Sequence, residues 1–231
     1  CRGLARDHSR TTQRFRHADG DDHAGSESQA RDHPHGRWQA ESVGGHAGQD
    51  GAFWMAVNHV ILKEFHAERR VPFFADYVAR FTDAPFLVEL EEKDGAFTPG
   101  RMLPASLLAR YRETENGGFK FLAWDRGSDA PRMPQGTLGF RWQARKGQWN
   151  LEMKDGADGV AIEPVVSFLE RHDAVCMVSF QEFAGERSLR RGVPARFVET
   201  EKGRFAVATV YDLLMAQFGV GRGLAGDYPA G

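Results

Sequence analysis

Residues 48–66, GQDGAFWMAVNHVILKEFH, hold the reading on which the fold turns. Gly48 and Gln49 lead into Asp50, whose short carboxylate is placed to accept from the free backbone N–H groups of a helix starting at Ala52, as an N-cap does. From Phe53 to His66 the sequence then has the length and composition of a helix that is apolar nearly all round in its early turns. A helix with no polar face has to be covered on every side, so this one belongs in a larger α/β body. A chain of 231 residues leaves it short of cover.

Downstream, Pro72 fits the first turn of a second helix, where its missing N–H costs nothing, and Phe73, Phe74, Tyr77, Val78 and Phe81 recur at helical spacing. Residues 86–90 read as a strand that Lys93-Asp94-Gly95 turns back toward Phe97, because an Asp-Gly pair tolerates positive φ. Residues 137–142 and 148–153 alternate in polarity around Arg145-Lys146-Gly147 and read as an inserted β-ribbon. A strand is expected over 174–180, and a third hairpin pairs 196–200 with 204–210 across Glu201-Lys202-Gly203. Thr209 caps a last helix over 210–218, stopped by Gly219. The expected class is α/β, or α+β, with inserted β-hairpins, in a domain over 47–231.

Upstream the composition changes. Residues 1–46 carry many His, Arg, Asp and Gly and no Ile, Met or Tyr, too little apolar surface to offset the entropy of ordering a chain. This segment reads as disordered or as translated out of frame. The metal-binding alternative for His8, His17, His23, His33, His35 and His46 is the weaker one, because their spacing is irregular and broken by Asp and Arg. A formal net charge of -2 gives no basic surplus for nucleic acid or acidic membranes, so no nucleic-acid partner is expected. Cys1 and Cys176 have no CxxC partner, which leaves neither a disulfide framework nor a self-contained zinc or iron–sulfur site and suggests a reducing compartment.

Several constellations invite a chemical reading and mostly fail it. Residues 221–226 match the glycine pattern of a dinucleotide loop, but a helix precedes them where the motif needs a strand, and Asp227-Tyr228-Pro229 follows where it needs a helix. His59 and His66 share a helix face with Glu64 near, yet lack the third ligand and the spacing of a zinc site, so ordinary hydrogen-bonded histidines are expected. Glu91 and Glu92 are most simply a solvated strand end. No catalytic triad can be assembled. Gly48-Gln49-Asp50 is different in kind: a glycine-led helix start leaves N–H groups free for an anion, and a carboxylate there can accept from both N1–H and N2–H of a guanine ring. Taken on spacing alone, the helix cap remains the simpler role.

From Gly48 to about Leu224 the chain resembles the alpha subunits of respiratory nitrate reductases, in the dimethyl sulfoxide reductase family of molybdenum enzymes. The resemblance is carried by Gly48-Gln49-Asp50-Gly51-Ala52, His59 through His66, Phe74-Ala75-Asp76-Tyr77-Val78 with Thr82-Asp83, Gln135 through Trp142, Gly147 through Glu152, and Thr209-Val210-Tyr211-Asp212-Leu213. It implies a much longer parent chain, part of whose molybdopterin-binding α/β domain lies here. That parent would hold a molybdenum bis(molybdopterin guanine dinucleotide) and a 4Fe-4S cluster whose ligands lie upstream. The family's Gly-Thr-Asp contact to a guanine dinucleotide falls on Gly48, Gln49 and Asp50, with Gln in place of Thr. Reduction of nitrate to nitrite is implied, with electrons from an iron–sulfur beta subunit and a quinol-oxidising membrane gamma subunit at the cytoplasmic face of a bacterial membrane.

The family also has a strand ahead of this helix that residues 1–46 do not supply, so the chain alone is expected to be inactive. Two other readings stand beside this one. Nitrite oxidoreductases run the same chemistry backwards, and a non-catalytic interaction module would use the β-ribbon with Trp142 or Trp149 to contact a partner.

Overall fold

The computed structural model describes residues 50–93, 95–136, 151–181 and 188–229. The chain divides into units at Gly44/Gly45, and all the described residues lie in the second. Helix α1 spans Asp50–Ile61 and runs without a break into a π-helical stretch, Leu62–Glu68. Its wide turns are closed by Arg69 N–H donating to Glu64 O and Val71 N–H to Phe65 O, both at 3.0 Å. Helix α2, Pro72–Phe81, begins on its proline as expected.

Strands β1 (Leu87–Lys93) and β2 (Ala96–Met102) form the hairpin read at Asp94-Gly95. Short pairs follow: β3 (Ala123–Asp125) with β4 (Ala130–Arg132), and β5 (Pro134–Gly136) with β6 (Leu151–Asp155). The last pair joins Gln135 to Glu152 at the base of the expected ribbon, whose body, including Trp142 and Trp149, lies outside the described residues. Strands β7 (Ala174–Gln181), β8 (Ser188–Thr200) and β9 (Gly203–Thr209) complete the sheet, and helix α3 (Val210–Gln217) follows β9 directly.

β1, β2, β7, β8 and β9 close into a barrel. β1 pairs antiparallel with β2 on one side and β9 on the other, β8 sits between β7 and β9, and a parallel contact at Phe97 and Val178 joins β2 to β7. Alternation divides its side chains between two cores. Val88, Leu90, Cys176, Val178, Phe180 and Val193 pack with Leu213 and Ala216 of α3. Leu87, Val198 and Val207 face the other way, onto Leu103, Tyr111, Leu122, Trp124, Met133 and Phe168. Because it touches both cores, β8 is buried without interruption from Arg191 to Arg196.

Helix α3 is held at both ends. Thr209 Oγ1 accepts from Asp212 N–H at 3.0 Å, the cap that the sequence indicated. At the other end Gly219, at φ +78, lets Val220 N–H reach Met215 O (2.8 Å) while its own N–H reaches Ala216 O (3.0 Å), a Schellman closure. Arg191 of β8 adds a charge there, its Nη1 donating to Ala216 O at 2.6 Å and Gln217 O at 3.0 Å. The chain enters and leaves the barrel at one place: Leu87 pairs with Thr209, Val210 N–H donates to Phe86 O (2.9 Å) and Tyr211 N–H to Ala84 O (3.0 Å).

α1 is not covered. None of its residues is buried, and Phe53 and Trp54 are 56% and 61% exposed, so the other described residues leave this apolar helix largely bare. The same holds for the outer face of α2, where Phe73, Tyr77 and Phe81 form an exposed ladder of rings.

Candidate functional site

A half-open cavity of about 840 Å³ lies where the π-helix, α2, residues 162–170 and the C-terminal segment meet. Small and apolar side chains make much of its wall, including Ala75, Ala79, Ile162, Val166, Leu169 and Val220. His66, Ser167 and Arg222 supply its deep polar groups.

Those groups are organised by Asp212, the third residue of α3, which is fully buried. Its carboxylate accepts from Ser167 Oγ (2.6 Å), Phe168 N–H (2.7 Å) and Arg222 Nη1 (2.9 Å). Arg222 Nη1 also donates to Ser167 Oγ at 3.0 Å. An ion pair this deep persists because both partners are hydrogen-bonded as well as paired. Beside it His66 packs against Tyr211 at a tilt of 55°, with ring centroids 4.4 Å apart. Three buried polar atoms at this spot find no partner among the described residues: His66 Nδ1, Tyr211 Oη and Arg222 Nε.

Burial, reinforced by the Arg222 charge, pulls the His66 imidazole from its ordinary 6.5 down to about 4, so it is uncharged at neutral pH. Burial also raises the Tyr211 phenol well above its usual range. The consequence for stability has a definite sign. Between pH 6.5 and 4 the unfolded chain takes up a proton on this histidine that the folded chain refuses, so stability falls as pH falls through that window. His66→Gln is therefore expected to flatten the loss measured by urea titration between pH 7 and 4.5; an unchanged slope would exclude His66 as its source.

The residues singled out by sequence are scattered. Asp50 is the first described residue of α1, is exposed, and lies roughly 13 Å along the helix axis from His59, outside the cavity wall. Gly48 and Gln49 lie outside the described residues, as do the six histidines before them. His59 is the ordinary hydrogen-bonded histidine expected, its Nδ1 2.6 Å from Phe218 O, and Glu64 pairs with Arg69 on the surface. Among the described residues no group of three His, Cys, Asp or Glu is placed to hold a metal ion. Nor is any described helix long and apolar enough to cross a membrane.

The glycines of 221–226 serve chain reversal. Gly226, at φ +130, bridges to Arg191, and a Cβ there would stand 2.5 Å from Arg190 O. Glu91 and Glu92 are exposed, as a solvated strand end should be. Sequence reasoning missed Asp212, Ser167 and Arg222 as a group. The available hint was a carboxylate three residues into a helix between Tyr211 and Leu213, where a charge has no solvent to face.

Comparison with known proteins gives a consistent answer. No family model matches the chain. It is 38% identical over 190 residues to the respiratory nitrate reductase 1 alpha chain of Escherichia coli (strain K12), covering 77% of this chain and 15% of that one. It is 37% identical over 179 residues to the nitrate reductase alpha chain of Bacillus subtilis (strain 168), covering 77% and 14%. The nitrate reductase alpha subunit of Mycobacterium tuberculosis (strain ATCC 25618 / H37Rv) is 38% identical over 190 residues, covering 80% and 15%. The chain thus spans about 15% of the length of the relatives it matches. Over the stretch it shares with them, this chain belongs to the family of nitrate reductase alpha chains, as a segment of that subunit.

Proposed function

We propose that the chain is a piece of the catalytic alpha subunit of a membrane-associated respiratory nitrate reductase and does not reduce nitrate by itself. The observation that carries this reading is the identity of 38% over 190 residues to alpha chains named for that activity. The bare apolar faces of α1 and α2 support it, since they are finished surfaces only inside a larger body.

The implied groups fit the described residues unequally. Molybdenum and an iron–sulfur cluster find no ligand set among them. A guanine nucleotide fits better at the start of α1. There Asp50 is exposed and makes no hydrogen bond with a described residue, which leaves its carboxylate free to accept from a purine's N1–H and N2–H. Gly48 and Gln49 are proposed to share that contact, the glycine by letting backbone N–H groups approach. When bound, the molybdenum bis(molybdopterin guanine dinucleotide) would supply oxygen-atom transfer from nitrate, and a 4Fe-4S cluster its electrons. The role proposed for this chain's residues is to grip and orient the nucleotide end. An iron–sulfur beta subunit and a quinol-oxidising gamma subunit are the proposed partners, at the cytoplasmic face of the bacterial membrane.

The purified 231-residue chain is expected to contain no molybdenum by metal analysis and to show no nitrate reduction with a reduced viologen dye; turnover would overturn its inactivity. The nucleotide contact is tested by exchanging residues 48–224 into the Escherichia coli alpha chain. There Asp50→Ala should cost roughly 1.5–3 kcal/mol of cofactor binding, a loss of one charged hydrogen-bond acceptor. Full cofactor occupancy in that variant would remove Asp50 from the site.

A further inference from the structure

The cavity beneath the π-helix plays no part in the nucleotide contact, and its deep polar groups serve the wall rather than a ligand. Ser167 Oγ is taken up by Asp212 at 2.6 Å and Arg222 at 3.0 Å. Asp212 is fully buried, and the Arg222 side chain is 6% exposed. His66 Nδ1, Tyr211 Oη and Arg222 Nε are sealed away from any entering molecule.

What reaches the space from below is apolar. Ala67, Val166 and Val220 line the cavity and also belong to the hydrophobic core that Val78, Tyr211 and Met215 form between α2 and α3. The cavity is therefore an opening in that core. Its room comes from alanines: Ala67 on the π-helix, with Ala75 and Ala79 one turn apart on the side of α2 away from the Phe73, Tyr77 and Phe81 rings.

The rim carries no net charge. Arg70 pairs with Glu170 (3.6 Å), Arg80 with Asp76 (2.8 Å) and Arg126 with Glu163 (3.0 Å). Lys63 and Glu68 have no ion pair among the described residues, and they are of opposite sign on one π-helical stretch. A charged ligand would lose hydration here and find no net counter-charge to offset the loss.

We infer that this cavity binds an uncharged, apolar-bodied small molecule, whose body completes the core between Ala79, Ile162, Val166 and Val220. A volume of about 840 Å³ suits a ligand of that kind. Its binding is independent of the nucleotide contact at Asp50, so either can fail without the other.

The test is calorimetric titration of the 231-residue chain with naphthylmethanol, naphthoate and naphthylmethylammonium, which share a body and differ in charge. Saturable one-to-one binding of the alcohol, at least tenfold tighter than either ion, is expected. Ala79→Phe and Leu169→Phe each fill the cavity without removing a polar group, and should abolish binding while leaving the circular dichroism spectrum unchanged. Phe73→Ser removes the most exposed ring on the other face of α2 and should leave binding intact, which separates the cavity from adsorption on bare apolar surface. Absence of binding by the alcohol, equal binding of the ions, full binding to both filled variants, or loss of binding in Phe73→Ser would each overturn the assignment. Repeating the titration on the exchanged full-length alpha chain tests the remaining occupant. Retained binding supports the small molecule, whereas loss of binding shows that the parent's own side chains fill the cavity and overturns it.

Discussion

Asp212→Ala is expected to destabilise the fold by roughly 3–5 kcal/mol, the cost of stripping one partner from a buried ion pair. The wild-type carboxylate is fully buried and accepts three hydrogen bonds, from Ser167, Phe168 and Arg222. Without it the Arg222 guanidinium stays enclosed with no counter-charge, and Ser167 and the Phe168 amide lose their acceptor as well. Urea unfolding followed by tryptophan fluorescence measures the loss, with Asp212→Asn as a milder variant that keeps an acceptor oxygen. Since the penalty belongs largely to the stranded cation, adding Arg222→Met to Asp212→Ala should recover part of it. A loss under about 1 kcal/mol, or no recovery in the double variant, would show that the pair is not the anchor described.

Trp124→Ala should cost a similar amount, roughly 3–5 kcal/mol, for a different reason. Trp124 is 4% exposed and sits edge-on to Phe168 with ring centroids 5.7 Å apart. Its other contacts bind the second core to β8. The Arg196 guanidinium lies 4.0 Å from the indole centroid, and Trp124 Nε1 donates to Asp129 at 3.1 Å, the same carboxylate that accepts from Arg196 at 2.6 Å. Removing the indole therefore opens a cavity, exposes a buried cation's flat face and frees one side of Asp129. Trp124→Phe keeps one aromatic ring but loses the rest of the indole with its N–H, so an intermediate cost of roughly 1–3 kcal/mol is expected, a hydrogen bond plus a smaller cavity. Equal losses for the two variants, compared by thermal and urea unfolding, would mean that ring volume and stacking contribute little.

What the sequence made legible was local. The β1–β2 and β8–β9 hairpins, the Thr209 cap and the Gly219 stop depend on residues within a few positions of one another, and the structure has each of them. The parallel contact of β2 with β7 and the closure of β1 on β9 depend on pairings between distant stretches, which periodicity cannot register. The π-helix escaped for a related reason. Residues 62–68 have good α-helical composition, and the wider turn shows only where His66 meets Tyr211 on α3.

The candidate site was the least legible part. Arg191 and Arg196 look like surface residues of a strand, yet β8 buries both: one against the carbonyls that end α3, the other against Trp124 and Asp129. The partners of Asp212 lie 44 and 45 residues before it and 10 after it, so no window of sequence holds the group. Asp50 is the opposite case. Its position at a helix start could be read directly, while the role the resemblance suggests for it depends on neighbours beyond the described residues.

The tie between the barrel's first and last strands has an evolutionary meaning. Since the backbone departs from the helical layer at Ala84 and rejoins it at Tyr211 across a hydrogen bond, everything between is a detour with adjacent endpoints. A detour of that kind can be acquired, enlarged or trimmed by an ancestor without shifting the two helices it hangs between.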